Sequence, residues 1–169
     1  MVIVYKSNTG FTKAYAEMLA RAEKLKLYDL ERAQADLDQG AEVFYMGPLM
    51  AGHICGIDQA VKRFEVKGAC GVGMTAPGAP ALSGLEKANY VPNAPVFYLQ
   101  GGYAPRKLSW LKRRMVNMAT KAAREELQAK GSSCSPREQA QLDMYLKGGS
   151  FVAFEHLEEV RAWIKGRRT

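Results

Sequence analysis

Between a short apolar run, Val2 to Tyr5, and the first helical pattern, the chain reads Lys6-Ser7-Asn8-Thr9-Gly10-Phe11-Thr12-Lys13. Ser7, Thr9 and Thr12 can each donate a hydrogen bond, and Gly10 lets the backbone approach a ligand closely. A turn that opens a helix adds backbone N–H groups and the favourable potential of the helix N-terminus. Together these could hold a phosphate dianion mainly through neutral donors. The same residues also suit a plain turn and helix cap, and the residues themselves leave both readings open. Other phosphate loops match poorly: there is no Gly-x-x-x-x-Gly-Lys-Ser/Thr, and no Gly-x-Gly-x-x-Gly follows the first strand. Nor does a carboxylate follow that strand, as an acidic phospho-acceptor pocket would require.

The elements that must position this loop can be read from periodicity. Val2 to Tyr5 predicts a strand buried on both faces. Tyr15, Met18, Leu19 and Ala22 then mark one face of a helix. Leu25 to Leu30 reads as a second strand, and Glu31 to Gln39 as two helical turns at most. Glu42 to Met46 is a third strand, expected to break at Gly47-Pro48. Ile57 to Phe64 reads as a helix, Gly71 to Met74 as a fourth strand, Ala81 to Ala88 as a short helix, and Pro95 to Gln100 as a fifth strand.

A long helix is expected from Leu108 to Ala129, with Leu108, Leu111, Met115, Met118 and Ala122 as its apolar stripe and the bases mostly opposite. Ser135-Pro136-Arg137-Glu138 is a capping-box start, ended by Gly148-Gly149. A last helix spans about Glu155 to Lys165. Strands separated mostly by helical crossovers imply a parallel sheet covered on both faces, with ligands beyond the strand carboxyl ends. The loops to examine therefore follow the first, third and fourth strands.

Ser7-x-Thr9-Gly10-x-Thr12, placed between a first strand and a first helix, resembles the FMN-phosphate signature of the flavodoxin family, Ser/Thr-x-Thr-Gly-x-Thr. All four fixed positions match, and the order of elements extends the likeness over most of the chain. The resemblance implies an α/β fold, a flavodoxin-like three-layer sandwich with a five-stranded parallel sheet in the order 2-1-3-4-5. It implies a single domain over residues 1–169 and FMN as the cofactor. Ser7, Asn8, Thr9, Gly10, Phe11 and Thr12 would hold the phosphate. Pro48, Leu49, Met50, Ala51, Gly52 and His53 would flank the isoalloxazine on one side, and Thr75, Ala76, Pro77 and Gly78 on the other. A backbone group near Gly52 would face the flavin N5.

Other features are similar to the flavodoxin-like protoporphyrinogen oxidases that use menaquinone. They are the short polar segment Glu31 to Gln39, the Gly52-His53 pair, and the run Gly102-Tyr103-Ala104-Pro105-Arg106-Lys107-Leu108-Ser109-Trp110 leading into a basic helix. This likeness implies an oxidoreductase that passes electrons through FMN to a quinone or other acceptor. Tyr103, Arg106, Lys107 and Trp110 would form a lip for a membrane surface, a quinone or an acidic porphyrin. Because the flavin carries the chemistry, no catalytic side chain is required. The chain departs from the family in one respect: many flavodoxins stack Trp or Tyr on the ring, and neither ring loop holds an aromatic residue. Leu49, Met50, His53 or Tyr103 would have to supply a wall. That departure favours an alternative, a flavodoxin-fold binding module without redox activity that acts through a basic surface.

Composition narrows the classes. With 169 residues, 47% of them hydrophobic, the chain can bury one sizeable core. Lys and Arg outnumber Asp and Glu by 24 to 17, for a net +7. Ala104 to Gly131 alone holds eight bases and two acids, so +6 of that charge is local. A local basic face suits an anionic partner, and it can equally be a solvated helix face. It argues against a plain carrier flavodoxin, since those are usually acidic. Nucleic acid is not expected, because no reading motif accompanies the bases. Cys55, Cys70 and Cys134 are expected as free thiols, and two histidines make a multi-histidine metal site improbable. No apolar run reaches the roughly 20 residues needed to cross a bilayer, and Val2 to Tyr5 is too short for a secretory signal. The expected location is the cytoplasm, with peripheral membrane contact as an option.

Overall fold

The computed structural model describes residues 1–89 and 91–167. Its elements begin with β1 (Val2–Tyr5), α1 (Phe11–Glu23), β2 (Leu27–Asp29), α2 (Leu30–Asp36), β3 (Glu42–Met50), β4 (His53–Ile54), α3 (Ile57–Arg63) and β5 (Glu65–Gly73). They continue with α4 (Leu85–Ala88), β6 (Val96–Gln100), β7 (Gly102–Tyr103), α5 (Trp110–Ala119), α6 (Lys121–Lys130), α7 (Pro136–Lys147), β8 (Gly149–Ser150) and α8 (Glu158–Gly166). The chain forms two compact units, Met1–Gly101 with the segment from Val152 onward, and Gly102–Phe151.

The first unit is α/β, with a mostly parallel central sheet flanked by helices. Its strands run in the order β2-β1-β3-β5-β6, all neighbours parallel, and β4 adds an antiparallel partner to β3. The sheet thus has six strands where five are expected. Alternation along β3 shows why a continuous apolar run is needed here. Phe44 and Met46 join Tyr15, Leu19, Val160 and Ile164 on the face covered by α1 and α8. Val43 and Tyr45 join Leu30, Ala33, Ile57 and Ala60 on the face covered by α2 and α3. Trp163 packs on Phe44 and Phe97 with ring centroids 5.5 and 5.8 Å apart, over the backbone of Gly68, where a Cβ would lie 2.7 Å from the Trp163 ring.

Several boundaries differ from expectation, each for a local reason. β3 does not break at Gly47-Pro48 but continues to Met50. Backbone groups two residues apart along a strand point the same way, and Met46 already accepts Lys6 N–H on the β1 side. Since β1 ends at Tyr5, the missing N–H of Pro48 costs no ladder bond, and the Pro48 carbonyl accepts from Cys55 at 2.9 Å. β5 begins at Glu65 rather than Gly71. Its charged start is neutralised across the sheet, since Lys67 pairs with both Glu42 and Glu65. The expected short helix at 81–88 is a 3-10 turn, Pro80–Leu82, followed by the single-turn α4. Cys70 is buried as expected, and burial pushes its thiol pKa up.

In the second unit, β7 and β8 pair antiparallel, and the expected long helix is two, α5 and α6, meeting at Thr120. The Thr120 hydroxyl donates back to the Val116 carbonyl at 2.9 Å, a bond that bends helices. The expected stripe is not a buried face: Leu111, Met115 and Met118 are exposed, and neither α5 nor α6 has a buried residue. α7 supplies the buried side chains Leu142, Met144 and Tyr145.

α7 opens with the capping box read from the sequence: Ser135 Oγ accepts from Glu138 N–H, and the Glu138 carboxylate accepts from Ser135 N–H. Lys130 first, and then Ser135, hold the Glu138 carboxyl down at about 2. A depressed carboxylate contributes stability above its ordinary value of 4.5 and loses it as pH falls toward about 2. Amide exchange at Glu138 N–H is therefore faster in Glu138→Gln than in wild type at neutral pH, with the difference closing across that window. A difference that persists unchanged to the acid end would contradict this origin.

Candidate functional site

The parallel register brings the carboxyl ends of four strands to one edge of the sheet, within a few residues of each other. Tyr5 lies opposite Met46, Gly47 opposite Gly71, Pro48 opposite Val72, and Gly73 opposite Gln100. The loops that follow β1, β3, β5 and β6 therefore leave from one edge of the sheet. The end of β6 closes onto the start of α1. Gly101 N–H donates to the Gly73 carbonyl at 2.7 Å, and a Cβ at Gly101 would sit 2.8 Å from Val72 and 3.2 Å from Phe11.

At this edge the hydroxyl loop is built around Ser7. Its Oγ accepts from Gly10 N–H at 3.2 Å and from Lys13 N–H at 3.4 Å. The N-cap position itself is Gly10, whose φ of 102° is open to glycine and strained for other residues. Ser7, three residues earlier, thus does the work of a capping side chain. A helix start leaves four amides without a carbonyl partner inside the helix. Ser7 takes those of Gly10 and Lys13, which leaves those of Phe11 and Thr12 for an acceptor outside the helix. No acidic residue stands in the first turn to compete for them. Asn8 and Gly10 are exposed, Ser7, Thr9 and Phe11 are half-buried, and Thr12 is 2% exposed. Lys6 adds positive charge on one side, and Lys13, on the other, pairs with Glu17 one turn on at 3.8 Å. Neutral hydroxyls, orphan amides, a helix dipole and a first turn without a carboxylate fit a phosphate monoester.

The second expected loop, Pro48 to Ile54, is instead a tight β-hairpin. Leu49 pairs with Ile54 and Met50 with His53, across a two-residue turn in which Ala51 and Gly52 both have positive φ, 49° and 80°. This turn type matches the twist of its strands. Leu49 lies over the small residues of β5, with Cδ1 3.3 Å from where a Gly71 Cβ would be, and Met50 points to solvent. His53 Nε2 and Asp58 Oδ2 are 3.0 Å apart, both exposed; pairs of this kind contribute at most about 1 kcal/mol.

The residue that holds this hairpin is one the sequence does not single out. Asn89, 3% exposed, accepts from Ile54 N–H at 2.6 Å and donates through Nδ2 to the Gly52 carbonyl at 2.7 Å and the Leu85 carbonyl at 2.9 Å. The Gly52–His53 peptide is therefore pinned, whereas the Ala51–Gly52 peptide carries no such bond from Asn89. Beneath the hairpin, Tyr45 Oη donates to the Cys55 carbonyl at 2.7 Å, and burial raises the phenol pKa and keeps it a neutral donor.

The third expected loop leaves β5 as Met74-Thr75-Ala76-Pro77-Gly78. Tyr98 Oη donates to the Thr75 carbonyl at 2.7 Å. Pro77 and Gly78 also line a groove of about 350 Å³ with Leu82, Leu85, Tyr98 and Glu159, residues apart from the phosphate loop. Tyr15, in α1, donates to the Gln100 carbonyl at 2.7 Å, and burial pushes its phenol up to about 12.

In the second unit the four residues expected to form a lip are not alike. Tyr103 is buried in β7, while Arg106, Lys107 and Trp110 are exposed. No helix among the described residues is long and apolar enough to cross a membrane, and no group of His, Cys, Asp or Glu among them could hold a metal. No protein-family model, curated protein or solved structure matches the chain.

Asn89→Leu removes the acceptor of the buried Ile54 N–H and the donor to Gly52. A buried amide left unsatisfied costs about 1–3 kcal/mol. Chemical denaturation is expected to show a loss in that range, together with faster amide exchange at Ile54. Unchanged exchange at Ile54 would mean that Asn89 does not hold the hairpin.

Proposed function

We propose that the chain is a flavodoxin-like redox protein that binds FMN and passes electrons to a quinone or another acceptor. The observation that carries this reading is the Ser7–Thr12 loop at the carboxyl edge of the sheet. It offers hydroxyls and two first-turn amides to an anion, with no carboxylate in the first turn of α1. The sheet order supports it too: once the hairpin strand β4 is set aside, the remaining five strands are ordered second, first, third, fourth, fifth. The crevice in such sheets lies between β1 and β3, where the connections run to opposite sides.

On this reading Ser7, Asn8, Thr9, Gly10, Phe11 and Thr12 hold the phosphate. Thr9 and the Phe11 and Thr12 amides donate to it, and Lys6 and Lys13 add charge. Leu49 and Met50 give the ring an apolar wall, and the Ala51-Gly52 turn presents backbone polar groups beside it. Thr75 to Gly78 closes the other side, held by Tyr98. When bound, FMN supplies electron transfer; the protein orients the ring and limits water around it. Asn89 fixes the hairpin, so ring contacts are set by a rigid element rather than by a loose loop. The activity that accompanies this reading is protoporphyrinogen-oxidase-like electron transfer to a quinone.

The lack of an aromatic residue in 48–53 and in 75–80 favours a second reading, a binding module that has kept the fold without redox chemistry. The two separate on the visible spectrum of the purified protein, recorded before and after FMN is added and unbound flavin removed. The redox reading predicts a retained yellow flavin spectrum. A Thr9→Ala, Thr12→Ala double variant, checked for an unchanged melting curve, should bind FMN about tenfold more weakly or worse, since each lost hydrogen bond to a charged group is worth about 1.5–3 kcal/mol. A colourless protein that still excludes added FMN would sink the redox reading.

A further inference from the structure

We propose that α5 is a docking face for an anionic lipid surface, on which its Leu111-Met115-Met118 stripe inserts between basic side chains. The proposal does not depend on flavin binding.

None of the residues of α5 is buried. Trp110 and Met118 are each 71% exposed, and Leu111 and Met115 are each 54% exposed. At 3.6 residues per turn, Leu111, Met115 and Met118 fall within a sector of about 60°. Arg114 flanks that sector on one side and Lys112 on the other. This is an ordered apolar stripe rather than scattered surface residues, and contiguous exposed apolar surface marks an interaction site. α5 contains no acid. Arg106, Lys107, Lys112, Arg113 and Arg114 stand on it or just before it, and among the described residues no salt bridge occupies Arg106, Lys112, Arg113 or Arg114.

The combination selects the occupant. A nucleic acid would use the bases and leave the Leu-Met stripe in water. A second copy of the same face would set like charges against each other. A lipid surface with anionic headgroups satisfies both features, since the stripe enters the acyl boundary while the long basic side chains reach back to phosphates. Trp110, at the first turn of the helix, has the amphipathic ring that settles at headgroup level. The net +6 of Ala104 to Gly131 supplies the attraction. Thr120 ends α5 after ten residues, so the helix is too short to cross and is suited to lying in the interface.

The test is flotation of the full chain with phosphatidylcholine vesicles, with and without phosphatidylglycerol, followed also by tryptophan emission. The chain should float only with the anionic vesicles, release at raised salt, and show a blue shift that disappears in Trp110→Ser. Leu111→Ser, Met115→Ser and Met118→Ser together should weaken vesicle binding about tenfold or more while leaving binding to heparin unchanged. These side chains are exposed, and circular dichroism verifies that the helices remain. Failure to float with anionic vesicles overturns the proposal. So does a triple variant that floats like wild type, which would make charge alone the determinant and a polyanion the occupant. The blue shift of the unaltered chain is read without any substitution, and its absence on anionic vesicles also counts against insertion.

Discussion

Every loop in the first unit that could meet a ligand hangs from one register of parallel strands. Tyr5, Met46, Cys70 and Phe97 share one row, and the loops leave within a few residues beyond it, only because β3 and β5 are paired residue by residue over most of their length. That pairing in turn requires β5 to be thin. Gly68, Ala69, Cys70, Gly71 and Gly73 lie along it, and larger neighbours fill the space they leave. Phe44 and Trp163 close over Gly68, and Leu49 and Ile54 close over Gly71. A Cβ at Gly68 would lie 2.7 Å from the Trp163 ring and force it or Phe44 aside, while one at Gly71 would lie 3.3 Å from Leu49 and Ile54, so close packing in the core and the position of the loops are linked.

At the edge so defined, the chemistry is that of neutral donors. Ser7 uses its oxygen to satisfy two amides at the start of α1, and the Phe11 and Thr12 amides have no carbonyl partner inside the helix. A site of this kind holds a phosphate without burying a countercharge, so it avoids the desolvation cost of an ion pair. The element that follows β3 at this edge is a hairpin rather than a loop. Its geometry is set by a two-residue turn with positive φ and by Asn89, which reaches it from the end of α4. The second unit has a different character. Its buried side chains belong mainly to α7, and α5 presents both its charge and its apolar residues to solvent.

Much of the first unit was legible in the sequence. Continuous apolar runs mark β1, β3 and β6 because both faces of the sheet are covered, and the hydroxyl loop was found from residue types alone. The first half of β5 was not legible. Glu65-Val66-Lys67-Gly68 looks polar until Lys67 is seen between two glutamates, one of them on β3. The hairpin after Met50 was missed because Gly47-Pro48 reads as a stop, and only the end of β1 explains why a proline is harmless there. Asn89 carried no signal at all, since a single polar residue after a short helix has no pattern. On α5 the periodicity was read correctly and its meaning was not. Amphipathicity says which residues share a face, but not whether the fold covers that face. The bend at Thr120 depends on a side-chain bond to Val116 that the residue type permits without requiring.

The central claim is that a phosphate monoester is recognised at Ser7 to Thr12, and titration calorimetry with FMN and with riboflavin tests it most directly. The two ligands share the ring and differ in the phosphate. The account predicts that FMN binds and that riboflavin binds at least about a hundredfold more weakly, since two or more charge-assisted hydrogen bonds are lost with the phosphate. Equal affinity for the two, or no heat with either, would contradict it.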